Sequence, residues 1–153
     1  MTTTDHWHLA APPEARDDDP PVTGLMTHRI VGITTDVSLS TALRLMAEGG
    51  IRHLPVFEGT RCCGLLLETD VVGRLLVGLP AERSAESIAH LVRSAPTVTT
   101  AARRSGAARS MRDGGLDAVL VTEQDRLVGV VTATDLVRSL AGPPEDTDAG
   151  TAP

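Results

Sequence analysis

The chain repeats itself. Shifted by 65 residues, positions 33–75 align with 98–140 without a gap, and 16 of the 43 pairs are identical. Unrelated segments would share about three at ordinary residue frequencies, so the match is a duplication. The identities fall where a fold needs particular residues. Ala42, Met46, Gly49 and Gly50 meet Ala107, Met111, Gly114 and Gly115, while Val56, Gly64, Thr69 and Asp70 meet Val121, Gly129, Thr134 and Asp135.

Each copy reads as a βαββα unit. Residues 33–35 form a short β segment, after which Leu39, Ala42, Leu43 and Met46 make one apolar helical face by their i, i+3, i+4, i+7 spacing. Gly49 and Gly50 end that helix, because glycine accepts the left-handed cap conformation. Residues 53–57 and 62–67 are the strands of a hairpin turning at 58–60, and a second helix starts near Thr69 and Asp70. The second copy gives β segments at 97–99, 118–121 and 127–132, and helices at 105–111 and 134–140. Between the copies, 79–83 reads as a turn and 85–92 as an amphipathic connecting helix. About 55 residues bury too little surface to be secure alone, so the two units should pack on each other. The expected class is mixed α+β (α/β), two pseudo-symmetric units packed sheet to sheet, divided as 22–80 for the first and 81–142 for the linker helix and second.

Composition narrows the partners. Apolar residues make up 41 % of the chain but aromatics only 1 %, Trp7 and Phe57, so the core is branched aliphatic. The net charge of −6 belongs to the ends. Residues 1–21 carry five acids against Arg16 and residues 143–153 carry three against none, leaving the middle at +1. Both acidic ends, rich in Pro, Ala, Thr and Asp, are expected to be disordered tails. A near-neutral middle without a basic stripe argues against nucleic-acid binding. No run approaches the roughly 20 apolar residues of a membrane span, and the start lacks the features of a secretory signal. Adjacent Cys62 and Cys63 form no C-x-x-C motif and read as reduced strand residues. These features together lead to the expectation of a cytoplasmic protein with no membrane partner.

A duplicated unit carrying His53-Leu54-Pro55-Val56 and Gly129-Val130-Val131-Thr132-Ala133-Thr134-Asp135 resembles the cystathionine β-synthase (CBS) domain family. Gly24-Leu25-Met26-Thr27 and the run from Met46 to Ile51 also look like that family, and the resemblance covers residues 22–142. It implies a CBS pair with two pseudo-symmetric clefts between its units, association as a homodimer, and binding of an adenine nucleotide (AMP, ADP or ATP) or S-adenosylmethionine as a regulatory ligand.

Residue chemistry supports such binding independently. Thr132 and Asp135 flank a helix start, where unpaired amides and the positive end of the dipole attract phosphate and a carboxylate can accept from ribose hydroxyls. Ala133 and Thr134 lie between them. The competing reading is that Thr134 or Asp135 merely caps the helix. The resemblance implies an adenine wall of Pro96, Thr97, Val98, Ala118 and Val119, each of which could equally be core, and Arg52, Arg103 or Arg112 could balance a phosphate. The second cleft, from Ile33, His53, Leu54, Thr69 and Asp70, should be weaker: Leu67 replaces Thr132, and Glu68 repels phosphate. His53 could be taken for a base, but its repeat partner is Ala118 and no neighbouring carboxylate is evident, so no catalytic residue is assigned. His6-Trp7-His8 lacks a third metal ligand, and His28 and His90 are solitary. Two functions remain: a stand-alone regulatory module acting in trans on an unknown protein partner, or a structural dimerisation module whose nucleotide site has decayed.

Overall fold

The computed structural model describes residues 18–78 and 80–142. After a 3-10 turn at Val22–Gly24, the first unit runs β1 (Ile33–Thr34), α1 (Leu39–Gly49), β2 (His53–Glu58), β3 (Arg61–Leu67) and α2 (Glu68–Leu76). A one-turn helix α3 (Pro80–Arg83) and a 3-10 turn (Ile88–Leu91) lead to β4 (Thr97–Thr99), α4 (Arg104–Gly114), β5 (Ala118–Glu123), β6 (Arg126–Thr132) and α5 (Ala133–Ala141). Each unit has a three-stranded sheet, parallel between its first two strands and antiparallel between its last two. Registers repeat at the same offset: Val56 faces Gly64 as Val121 faces Gly129, and both hairpins carry a bulge just beyond that pair.

Local sequence explains the elements. Ser38 caps α1 by accepting from the Thr41 amide at 3.2 Å. Gly50 and Gly115 close α1 and α4 at φ 61° and 64°. Ile51 and Leu116 then donate back to the Met46 and Met111 carbonyls, the two-bond ending that left-handed glycine permits. Leu39, Ala42 and Met46 are buried against Leu54, Val56 and Leu66 in the first core; Ala107, Met111, Val119, Val121 and Val131 build the second. Each large side chain so enclosed contributes about 2 kcal/mol. Leu65, Ala118, Leu120 and Val130 form a third cluster between the sheets, where the two units meet.

The entry segments cross over. Thr27, ahead of the first unit, pairs with Val130 of β6, exchanging bonds of 2.9 and 3.3 Å, and Val22 is buried in the second core with Leu25 and Met26 packed beside it. Arg93, ahead of the second unit, pairs with Leu65 of β3 through bonds of 2.9 and 2.8 Å, and Ile88 is buried in the first core. Each unit thus completes its sheet with the lead-in of the other.

This exchange also corrects the reading of the connection. Over 85–92 only a 3-10 turn at Ile88–Leu91 forms; the α-helical turn lies at Pro80–Arg83, where a turn was expected, with proline at the first position that tolerates it. The connecting chain is used otherwise: Glu86 accepts from the Leu39 amide, Ile88 donates to the Val37 carbonyl, and Ser87 donates to the Thr35 carbonyl.

The acidic stretches 1–17 and 143–153 lie outside the described residues. Residues 18–21, assigned above to the tail, are instead held against α4. Arg103, at the N-cap position that Ser38 fills in the first unit, has no capping side chain, and Asp19 substitutes for it. Its carboxylate accepts from the Ser105 amide and hydroxyl, both at 2.7 Å. These bonds, the hydroxyl first, hold its pKa below the usual value. A depressed carboxyl stabilises the fold above the ordinary carboxylate range and stops doing so as pH falls through its folded pKa. Asp19→Ala should therefore melt a few degrees below the wild type at about pH 7, with the two curves converging as pH falls through the lowered folded pKa.

Candidate functional site

A cleft of about 420 Å³ opens between the units. The first supplies Arg29, Ile30 and Val31 ahead of β1, and Ile51, Arg52, His53 and Pro55 around the start of β2. The second supplies Asp117, Val130, Thr132, Thr134, Asp135 and Arg138. The crossover produces this grouping, because the strand pairing at Thr27 carries the residues after it across to the end of β6.

Thr132 and Asp135 are brought together at the start of α5, and they make the cap as well. Asp135 Oδ2 accepts from the Thr132 amide at 2.8 Å and its hydroxyl at 3.0 Å, while Thr132 Oγ1 accepts from the Asp135 amide at 3.4 Å. Among the described residues, the other carboxylate oxygen accepts only a long 3.4 Å bond from Arg138. The capping box leaves that oxygen for a further donor. Thr134 lines the same cleft, whereas the Ala133 amide is spent on the Asp117 carbonyl at 2.8 Å and its side chain packs on the second core.

The residues expected to form an adenine wall are not among those that line this cleft. Ala118 and Val119 are fully buried, Val98 packs on the second core, and Pro96 and Thr97 do not border the cleft. Ile30, Val31, Ile51 and Pro55 supply its apolar lining. Val130 of β6 joins them, while Ala118 and Val119 of β5 are turned inward. Of the three arginines considered, Arg52 lines the cleft; Arg103 donates to the Asp19 carbonyl at 2.7 Å, and Arg112 pairs with Asp113 at 2.9 Å. Arg29 and Arg138 join Arg52, and among the described residues neither Arg29 nor Arg52 has a side-chain hydrogen bond or ion pair.

His53 was grouped with the other cleft and given no carboxylate. It stands in this one, its Nε2 2.7 Å from Asp117 Oδ1. Burial is the largest single influence on the Asp117 carboxyl and pushes its pKa up. The hydrogen bond and charge of His53, with help from its own amide and Arg52, outweigh that and leave it lowered. A trace was present in the sequence: Asp117 occupies the repeat position of Arg52, a reversal of charge at equivalent sites. Arg29, Ile30 and Val31 left no such trace.

The equivalent surface around Asp70 is built differently. Ile33 and Leu54 belong to the first core. Asp70 is held by Arg93, whose Nε and Nη2 donate to its two oxygens at 2.6 and 2.8 Å. The bidentate grip occupies the carboxylate that a ribose would need. Leu67 caps α2 with no side-chain bond, and Thr69 follows in the first turn.

Cys62 and Cys63 are free thiols, with Cys62 pushed up by burial between the sheets. No group of three or more metal-binding side chains occurs among the described residues, and no helix there is long and apolar enough to cross a membrane. His6, Trp7 and His8 lie outside them.

Two like units exchanging their lead-in segments around a shared cleft define a tandem pair, and comparison gives the family. The CBS domain profile matches residues 22–77 and 88–142, and the chain belongs to the CBS domain family. It is 35 % identical over 74 residues to an uncharacterized 17.7 kDa protein of Acidianus ambivalens, covering 44 % of this chain and 45 % of that protein. It is 25 % identical over 119 residues to an uncharacterized protein of Methanocaldococcus jannaschii, covering 77 % and 43 %. The chain thus spans less than half the length of these relatives. Among solved structures, a CBS domain protein of Thermoplasma acidophilum superimposes with TM-score 0.69 at 24 % identity, covering 78 % of this chain and 68 % of that one. The CBS domain pair of protein MJ0100, in complex with 5′-methylthioadenosine and S-adenosyl-L-methionine, does so with TM-score 0.71 at 19 % identity, covering 81 % and 98 %. At these identities the likeness is one of fold.

Proposed function

We propose that the chain is a regulatory CBS pair that binds an adenine nucleotide in the cleft bounded by Thr132 and Asp135 and passes the resulting change to a protein partner. The observation that carries this reading is the convergence on one volume of a carboxylate with an available oxygen, a threonine at a helix start, an apolar wall and three arginines. The volume falls within the range of about 300–1,000 Å³ usual for small-molecule sites. Asp135 would take ribose hydroxyls, Ile30, Val31, Ile51 and Pro55 the adenine, and Arg29 and Arg52 the phosphate. The arginines favour AMP, ADP or ATP over S-adenosylmethionine, whose sulfonium is cationic, although MJ0100 binds adenosyl ligands of the latter kind. The Asp70 cleft would be weak or empty, its carboxylate already matched by Arg93.

A ligand reaching both units shifts their relative arrangement by its differential affinity for the two states. Val137 and Leu140 on α5, 64 % and 69 % exposed, and Leu76 on α2, 78 % exposed, are apolar faces that a second copy would cover in a homodimer. The cytoplasm is the proposed location, where nucleotides are abundant and two free thiols stay reduced.

Melting with and without each nucleotide and S-adenosylmethionine tests the reading. A ligand at 100 times its Kd stabilises by about 2.7 kcal/mol, and AMP, ADP or ATP should raise Tm by several degrees. No shift with any of them favours the alternative, a dimerisation module whose site has decayed. Leu67 and the occupied Asp70 support that alternative for one cleft only.

A further inference from the structure

Asp117 plays no part in the binding chemistry described above. It is an anion placed among the groups that would hold another anion: His53 Nε2 lies 2.7 Å from its carboxylate, and both residues line the cleft with Arg29, Arg52 and Arg138. It also joins the two units, since Asp117 precedes β5 and His53 opens β2. The Asp117 side chain is 62 % exposed and His53 only 12 %, so the carboxylate can swing into solvent while the imidazole stays in place. Asp117 contributes to the fold through its backbone, whose carbonyl accepts from Ala133, and among the described residues its carboxylate bonds to His53 and its own amide. Asp135, the other carboxylate of the cleft, is engaged by Thr132 and Arg138.

We infer that Asp117 is a resident competitor for the phosphate position: its carboxylate occupies the His53 and Arg52 corner of the cleft, and a ligand phosphate enters by displacing it. Asp117 thereby determines specificity. A ligand gains from the cationic corner only when its own charge outcompetes a tethered carboxylate. This rests on the nucleotide reading for the identity of the incoming anion, but the contact itself does not depend on that reading. Removing the competitor should tighten binding of phosphorylated ligands and leave an uncharged nucleoside unaffected, since adenosine has nothing to place in that corner.

The test compares AMP and adenosine by calorimetry on the wild type and Asp117→Asn, an isosteric change at an exposed side chain. It also follows the Asp117 carboxyl by carbon NMR in the wild type and His53→Gln. AMP should bind Asp117→Asn about tenfold more tightly, the worth of one charge-assisted hydrogen bond, with adenosine unchanged. The Asp117 titration should move upward in His53→Gln, because the group that holds it down is gone. If wild type binds AMP and Asp117→Asn binds it equally or more weakly, Asp117 is no competitor and the inference is wrong. If both ligands tighten together, Asp117 shapes the site without competing for phosphate, which also overturns it. If neither protein binds AMP or adenosine, the nucleotide reading fails. The competition claim then fails with it, and an upward NMR shift would still show the His53 to Asp117 contact to be real.

Discussion

Gly64→Ala should lower the stability of the folded chain by about 2–3 kcal/mol, a loss measurable by urea unfolding. A methyl group at this position would lie 2.2 Å from the Arg93 carbonyl oxygen and 2.9 Å from Val92 Cγ1. The carbonyl cannot move aside, because it accepts from the Leu65 amide at 2.9 Å, and the Arg93 amide donates back to Leu65 at 2.8 Å. Relieving the clash separates the crossing segment from β3 and loosens Ile88 and Val92 against the first core. Gly129 faces the same crossing in the second unit, but its added methyl would meet mainly the Met26 side chain, with Sδ at 2.3 Å. Methionine is flexible, so Gly129→Ala should cost less, about 1 kcal/mol. Equal small losses at both glycines would mean that the crossing segments are not tightly seated.

Asp135→Ala should reduce nucleotide affinity by at least about 100-fold, because two charge-assisted bonds to ribose hydroxyls are lost at once. It should also destabilise the chain by about 1 kcal/mol, since the same carboxylate satisfies the Thr132 amide and closes the capping box on α5. The two roles separate in Asp135→Asn. An amide oxygen can still accept from the Thr132 amide, but the neutral group cannot accept from two ribose hydroxyls as a carboxylate does. Stability should then largely recover while affinity stays low. Unchanged affinity in Asp135→Ala would leave the residue as a helix cap alone.

The parts of the molecule legible in the sequence are those that local chemistry determines. The i, i+3, i+4, i+7 spacing of Leu39, Ala42, Leu43 and Met46, and the glycine pairs at 49–50 and 114–115, placed α1 and the end of α4 because the residues involved are neighbours along the chain. Illegible were the exchanged lead-in segments, because each is pinned by isolated bridges between residues distant in sequence, Pro21 to Arg103 and Thr27 to Val130 for one, Ser87 to Ser38 and Arg93 to Leu65 for the other. Their only sequence trace was the identity of Gly64 and Gly129, readable as a strand glycine but not as the place where another backbone lies against it. The same crossing brings Ile30, Val31 and His53 of the first unit into the cleft with Thr132, which the expected wall of Pro96, Thr97, Val98, Ala118 and Val119 did not include. The repeat did carry the asymmetry between the clefts, in Leu67 against Thr132. The structure adds a second and stronger cause, the grip of Arg93 on Asp70.

Unequal clefts are the central claim, and calorimetric stoichiometry tests it most directly. AMP titrated into the wild type, Asp135→Ala and Asp70→Ala should give one site per chain in the wild type, none in Asp135→Ala, and one of nearly unchanged affinity in Asp70→Ala. Two equal sites in the wild type, or loss of binding in Asp70→Ala with Asp135→Ala unaffected, would contradict it.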